Sequence, residues 1–351
     1  MHETEHPDVS VNVLIYNASW ERVRATFNSI LMQKGINFEI VIIDDCSKEN
    51  HSDRIKDFFS RNDFTNYRLI VHEKNLGTVK TYLEAVRGSS AEYIRGLDPG
   101  DMFLDEYVLR DSYNCIVSTG SDIIASTMVY YRAFSNPAEL VAHHRYPQNI
   151  KAYDDPEELR VSYLLHDDRV SGSSTICRRD VLIRYLKEAD DNGIKYYDDY
   201  TIKFMVFDKI RIKFFDRPTI YYEYGAGIST VQSNDTPYRS KEVFEAMLLD
   251  EYKTSDMLLK RCKNFPSEFS KKLASLITNR RKIEAEIKYR KSLKDRFGIA
   301  AIPIILIRRL VRGIMIILGL EMNAEVPLEI EDIMTDTNVS TDFANLCMNR
   351  E

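Results

Sequence analysis

The 351-residue chain has one tryptophan, 13 glycines, 10 prolines and five cysteines. So little glycine and proline excludes a collagen-like or low-complexity polymer. Cys46, Cys115, Cys177, Cys262 and Cys347 are odd in number and scattered, with no Cys-x-x-Cys pair and no histidine at zinc-finger spacing. That pattern excludes a disulfide scaffold and a structural zinc module, and it fits a reducing compartment. The opening MHETEHPDVS carries neither a basic segment nor an apolar run, so no secretory signal and a cytoplasmic location are expected. The sequons at Asn17 and Asn338 are accordingly read as unmodified. Excess positive charge is also missing: a net charge of -6 argues against nucleic acid as a partner of the whole protein.

What is present is an ordinary globular composition, 44% hydrophobic and 29% charged, with room for one large α/β domain plus an appendage or for two domains. Val9 to Asn17 reads as a first strand, and the apolar spacing of Val23, Phe27, Ile30 and Leu31 as a helix beginning after Ser19. Phe38 to Ile43 is a nearly continuous apolar run, the pattern of a parallel strand covered on both faces. Further elements follow as a helix from His51 to Arg61, a strand Tyr67 to Val71, a helix Thr78 to Val86 and strands Glu92 to Leu97 and Asp122 to Ala125. This alternation predicts an open, mostly parallel α/β sheet.

Such sheets bind ligands beyond the carboxyl ends of their strands. Tyr16-Asn17, Asp44-Asp45 and Asp98-Pro99-Gly100-Asp101 all fall at those ends. Two carboxylates on a tight turn can hold a hard divalent cation beside a phosphate; the same four residues also suit a surface turn. Asp198-Asp199 is a second acidic pair, read either as a general base or as the cap of a following helix.

Four segments together resemble glycosyltransferase family 2, the inverting enzymes with the GT-A fold. They are Val9 to Asn17 with Ser29-Ile30-Leu31-Met32-Gln33; Ile43-Asp44-Asp45-Cys46-Ser47; Asn75-Leu76-Gly77 with Leu97-Asp98-Pro99-Gly100-Asp101; and Tyr197-Asp198-Asp199-Tyr200 with Tyr221 to Thr230. The resemblance covers residues 9 to about 230. It implies transfer of a sugar from a nucleotide diphosphate, a UDP-sugar first among the donors, with Mn²⁺ or Mg²⁺ offsetting the charge that builds on the leaving phosphate. It implies Asp101, with Asp98, at the metal, and Asp199, with Asp198, as the catalytic base that activates an acceptor hydroxyl. Tyr16, Asn17, Asp44, Asp45, Lys80 and Asp98 are implied at the nucleotide sugar. Gly100 departs from the family, which commonly has a further Asp there.

The C-terminal third has a different character. Between Arg280 and Arg296 eight basic residues face three acidic ones, and Ile299 to Leu320 is apolar except for Arg308, Arg309 and Arg312. Three arginines at the centre disfavour a membrane span, so an amphipathic helix lying on an anionic membrane surface is expected, with packing in an oligomer as the other reading.

The predicted organisation is a GT-A, Rossmann-like catalytic domain over 1–240, a helical extension over 241–296, the amphipathic helix over 297–320 and an acidic tail over 321–351, disordered or loosely attached. The expected activity is that of a bacterial surface-polysaccharide enzyme, of the kind that builds capsule or lipopolysaccharide, acting on a glycan or lipid-linked acceptor from the inner face of the membrane. The rival readings are a non-catalytic sugar-nucleotide-binding protein and a nucleotidyltransferase. The second usually needs a glycine-rich basic loop after the first strand, and Ala18-Ser19-Trp20 is not one.

Overall fold

The structure is a computed structural model that describes residues 6–132, 134, 139–140, 147, 149–224, 241–297 and 340–350. Within them the strands are β1 Val9–Ile15, β2 Phe38–Asp44, β3 Tyr67–Val71, β4 Tyr93–Gly96, β5 Met102–Phe103, β6 Ile123–Arg132, β7 Glu139–Leu140, β8 Thr175–Arg178 and β9 Ile212–Glu223. The helices are α1 Trp20–Leu31, α2 Ser52–Arg61, α3 Thr78–Gly88, α4 Val108–Thr119, α5 Pro156–Arg160, α6 Arg179–Asp191, α7 Thr201–Phe207, α8 Lys241–Asn264, α9 Glu268–Phe297 and α10 Asp342–Asn349.

The described chain divides into two compact units. The first holds the described residues up to Tyr163, Asp168–Lys253 and 340–350; the second holds Leu164–Asp167 and the described residues from Thr254. The division falls inside α8, not at residue 240.

The first unit is built on one sheet ordered β3-β2-β1-β4-β8-β6-β9-β5, with β7 paired antiparallel to the far end of β6. From β3 to β4 it is parallel, as the alternation predicts. Beyond β4 it is mixed, since β8 runs antiparallel to both β4 and β6. Val9, Val11, Val13 and Ile15 of β1 pack with Phe38, Ile40 and Ile42 of β2 against Phe27 of α1 and Phe58 and Phe59 of α2. The alternate β2 residues, Val41 and Ile43, pack on Ala85 of α3 on the opposite face. Burial on both faces is why β2 reads as an unbroken apolar run.

Registers place Ile15 of β1 beside Asp44 of β2, so the chain leaves both strands at one edge of the sheet. β4 ends beside β1 at the pair Asn12 and Gly96. Residues 29 and 33 explain the polar signature of the first helix. Ser29 Oγ accepts the N–H of Phe103 at 3.2 Å, while the Gln33 amide donates to Asp105 O at 2.7 Å and accepts from Leu109 N at 3.0 Å. α1 thereby fixes the segment that follows the acidic turn.

In the second unit α8 continues to Asn264, and Ser267 Oγ caps α9 by accepting Ser270 N at 3.0 Å. Arg281 and Asp256 pair at 2.7 Å. Among the described residues no helix is long and apolar enough to cross a membrane. The amphipathic segment expected over 297–320 lies, apart from residue 297, outside the described residues, as does most of the tail. Its described part differs from the expectation of a loose end: α10 docks on the first unit, burying Ala344 and Cys347 against Ala25, Met102, Val129, Tyr131 and Tyr221. All five cysteines are free thiols.

Candidate active site

A cavity of about 320 Å³ opens at the carboxyl edge of the parallel strands. Its lining brings together Tyr16, Asp45, Asp98, Asp101, Asp198 and Asp199. Three further residues that the sequence implies at the nucleotide sugar, Asn17, Asp44 and Lys80, are not in the lining. Asn17 takes a left-handed φ of 53° and its side-chain oxygen accepts Lys48 N at 2.9 Å, so it ties two strand-end loops together. Asp44 turns inward to accept Ser47 N at 2.7 Å. Lys80 is exposed on α3.

Asp45 is held from three directions. It accepts the N–H groups of Leu76 and Gly77 at 2.8 and 2.9 Å, and His72 Nδ1 lies 2.9 Å from it. The other nitrogen of His72 lies 2.9 Å from Glu84. Asn75-Leu76-Gly77 is thus a backbone clamp on a strand-end carboxylate. Gly77 suits it because its φ is +85° and a Cβ there would meet Lys195 Cγ at 2.4 Å.

The turn 98–101 is pinned from below by buried Thr26 of α1, whose hydroxyl accepts Gly100 N at 3.0 Å and donates to Asp101 O at 2.7 Å. Asp101 Oδ1 accepts the N–H of Glu223, the last residue of β9, at 2.9 Å, while its Oδ2 is buried without a partner. Glu223 pairs with Arg22 at 3.2 Å, and both line the cavity. Beneath them Arg95 is 1% exposed and donates to Thr219 Oγ1 at 3.2 Å. Thr219 meets Ser126 at 2.7 Å, and Ser126 exchanges hydrogen bonds of 2.7 and 2.8 Å with Ser174. This polar thread joins the acidic turn to the opposite wall.

That wall carries Asp198 and Asp199 on a single 3₁₀ turn, Asp198–Tyr200, leading into α7. Neither aspartate is the cap of α7, whose cap position is Tyr200 without a side-chain cap bond; Thr201 Oγ1 donates to the main-chain oxygen of Asp198 at 2.6 Å, and Asp198 and Asp199 both line the cavity. The loop before them is fixed by Asp250 of α8, 1% exposed, which accepts the N–H groups of Lys195 and Tyr196 at 2.9 and 2.7 Å. Ser171, Gly172 and Ser173 complete this side.

Enclosure by the surrounding chain raises every carboxylate of the site that is perturbed, although Asp98 and Asp199 stay open to solvent at the cavity. Asp98 is pushed up to about 6 and Glu223 to about 7, the latter eased by Arg22. Asp101 is pushed well above the usual range by burial and then by the charge of Asp98, against the N–H of Glu223 and the charge of Arg95. Asp198 is raised strongly by burial, then by the charges of Asp199 and Asp98. Asp199 is raised by burial, with Lys203 and Arg169 opposing. Burial also lowers Arg95 to about 10. A site crowded with acids and short of cations favours a positively charged ligand.

Among the described residues no three acid, imidazole or thiol side chains form a ready-made metal cage. A hard cation bound with a diphosphate needs only one or two protein carboxylates. The partnerless Oδ2 of Asp101, beside the cavity, fits that requirement.

The model of the family described as glycosyl transferase family 2 matches residues 10–186, just over half of the chain. The chain belongs to this family. The match includes the acidic turn and ends before Asp198, Asp199 and Glu223. Among solved structures the chain is similar to S. aureus TarS, with 19% identity and a TM-score of 0.49 over 78% of this chain and 43% of that one. It is also similar to TarS 1-349 in complex with UDP-GlcNAc, with 20% identity and a TM-score of 0.49 over 77% of this chain and 70% of that one. The chain thus spans less than half the length of full TarS. No curated protein matches the sequence.

Sequence reasoning missed Arg22, Thr26, His72, Arg95, Glu223 and Asp250. Arg95 alone left a signal, a cation inside the otherwise uncharged strand Tyr93–Gly96.

Proposed function

We propose that this family member transfers a sugar from a nucleotide diphosphate sugar, a UDP-sugar in the first instance, to an acceptor hydroxyl with inversion at the anomeric carbon. The observation that carries the reading is that one cavity is lined by both acidic pairs, Asp98 with Asp101 and Asp198 with Asp199. Mn²⁺ or Mg²⁺, held by Asp101 with Asp98 nearby, would supply charge neutralisation at the departing diphosphate.

The chain's own groups have separate tasks. Tyr16 and Asp45 border the donor end. Asp199 accepts the acceptor's proton as the acceptor oxygen bonds to the anomeric carbon; the bond from that carbon to the phosphate oxygen breaks, and its electron pair leaves with the diphosphate. Asp198 shapes the turn, and the polar thread through Thr219, Ser126 and Ser174 keeps the two walls in register. Close positioning of base and donor is itself worth orders of magnitude in rate.

A glycan or lipid-linked acceptor of surface polysaccharide synthesis, met at the inner face of a membrane, belongs to the same reading. The basic run from Arg280 to Arg296 supports it.

The test is a thermal-shift screen of nucleotide sugars with Mn²⁺, followed by assay of transfer and donor hydrolysis. A stabilising donor should be turned over by the natural chain and not by Asp199→Asn. Equal turnover by the natural chain, Asp199→Asn and Asp101→Ala would refute the assignment.

A further inference from the structure

The acidic turn lacks a side chain at its third position, Gly100, and the structure shows what occupies that space. A Cβ built on Gly100 would lie 3.1 Å from Glu223 Oε2, 3.4 Å from Glu223 Cβ and 3.5 Å from Arg22 Cδ. Gly100 also has a φ of +105°, a conformation that L side chains rarely adopt. A side chain at residue 100 would therefore strain the backbone and crowd Glu223, whose carboxylate lies where one would emerge.

The neighbouring geometry fixes Glu223 there. Its N–H donates to Asp101 Oδ1 at 2.9 Å, so the end of β9 is locked to the turn. Its Oε1 is held by Arg22 at 3.2 Å, which leaves Oε2. Glu223 is 7% exposed and Asp101 3% exposed. Oε2 of the first and Oδ2 of the second are both buried without a hydrogen-bond partner, and both residues line the cavity. A buried carboxylate oxygen without a donor is unfavourable, and two in one place call for a shared ligand of positive charge. Among the described residues no lysine or arginine donates to either oxygen, since Arg22 reaches Oε1 and Arg95 reaches Thr219. Hard oxygen pairs of this type suit a divalent cation that takes its remaining ligands from water and phosphate.

We propose that Glu223, contributed by the end of β9, supplies the second carboxylate of the cation site, in place of the side chain that Gly100 lacks. The proposal rests on the nucleotide-sugar reading of the cavity. It makes Gly100 and Glu223 a matched pair, in which the glycine clears the space that the glutamate fills.

The experiment is Mn²⁺ binding to the full chain, read from the electron paramagnetic resonance signal of free Mn²⁺ with UDP present, beside calorimetric UDP binding in EDTA. Glu223→Gln keeps the size of the side chain and an acceptor for Arg22. It should weaken Mn²⁺ at least tenfold, as should Asp101→Asn, while metal-free UDP affinity stays within twofold. If Glu223→Gln does not fold, Glu223→Asp, which keeps the charge and draws it back by one methylene, should show the same selective loss of Mn²⁺. Unchanged Mn²⁺ affinity in the folded Glu223 variant, with loss in Asp101→Asn, would overturn the role of Glu223 and leave the donor site standing. Failure of the natural chain to bind UDP under either condition would instead sink the donor reading, and the inference with it.

Discussion

Gly172 presses against Asp199: a Cβ placed on the glycine would lie 2.8 Å from the Cβ of the aspartate. Contacts that short do not occur between real side chains, so any larger residue at 172 must push the carboxylate aside. Gly172→Ala is expected to lower the transfer rate roughly a hundredfold, the scale of a 1 Å misplacement. UDP affinity, set on the other wall, should not change. A rate within threefold of the natural chain would show that Asp199 is not the positioned base.

Asp250 tests the same wall from behind. Asp250→Ala strips the acceptor from Lys195 N and Tyr196 N, leaving two part-buried donors unpaired at a cost of about 2–6 kcal/mol, the upper end applying only to fully buried groups. The loop that carries Asp198 and Asp199 should loosen, with kcat falling more than KM rises. Asp250→Asn retains one acceptor oxygen, so denaturant unfolding should rank it between the two. Equal stability of all three would remove the clamp from the account.

The raised carboxylates set a pH dependence with a definite sign. A carboxyl whose folded pKa exceeds its unfolded value favours folding while protonated, and that contribution is lost as the pH climbs through the folded value. For Asp98 the window runs from the ordinary value of 3.8 up to about 6. Asp98→Asn should therefore gain Tm relative to the natural chain as the pH rises from 4 to 7 in EDTA. A difference in Tm that is flat with pH would contradict the upward shift of this group.

The fold was legible where local pattern decides it. β1 to β4 and the helices between them follow from alternation, and the strand-end positions of Asp45, Asp98 and Asp101 follow from those strands. Asn17, Asp44 and Lys80 share the neighbourhood but not the cavity, because side-chain direction depends on one φ angle, one inward hydrogen bond or one face of a helix. Glu223 and Arg22 meet across 201 residues of sequence. β9 reaches that point only through register irregularities between Ser126 and Met128 in its pairing with β6, and no periodicity announces them. The docking of α10 was equally hidden, since eight residues of modest amphipathicity carry no sign of their partner.

α10 yields a fourth expectation. The Asn28 amide donates to Cys347 O at 2.7 Å and Arg350 O at 2.9 Å, and Tyr221 OH donates to Ser340 O. Removing residues 340–351 uncovers Met102 and Tyr221, neighbours in sequence of the acidic turn and of Glu223. The Tm should fall by several degrees and Mn²⁺ affinity should fall with it. A thiol reagent offers an independent reading: Cys347, fully buried and raised to about 12 by burial, should react only at the rate at which α10 undocks. Immediate labelling of Cys347 in the natural chain would refute the docked state.

The same clasp bears on how the molecule is made. Helix α1 leaves the ribosome early, yet part of the surface around Asn28 and Ala25 is covered by residues 343–350. The family-matched portion of the first unit therefore keeps an apolar patch open while the intervening residues are synthesised, and a nascent chain can close it only once α10 has emerged. For this protein, the first unit is completed by a segment 319 residues downstream of the helix it closes.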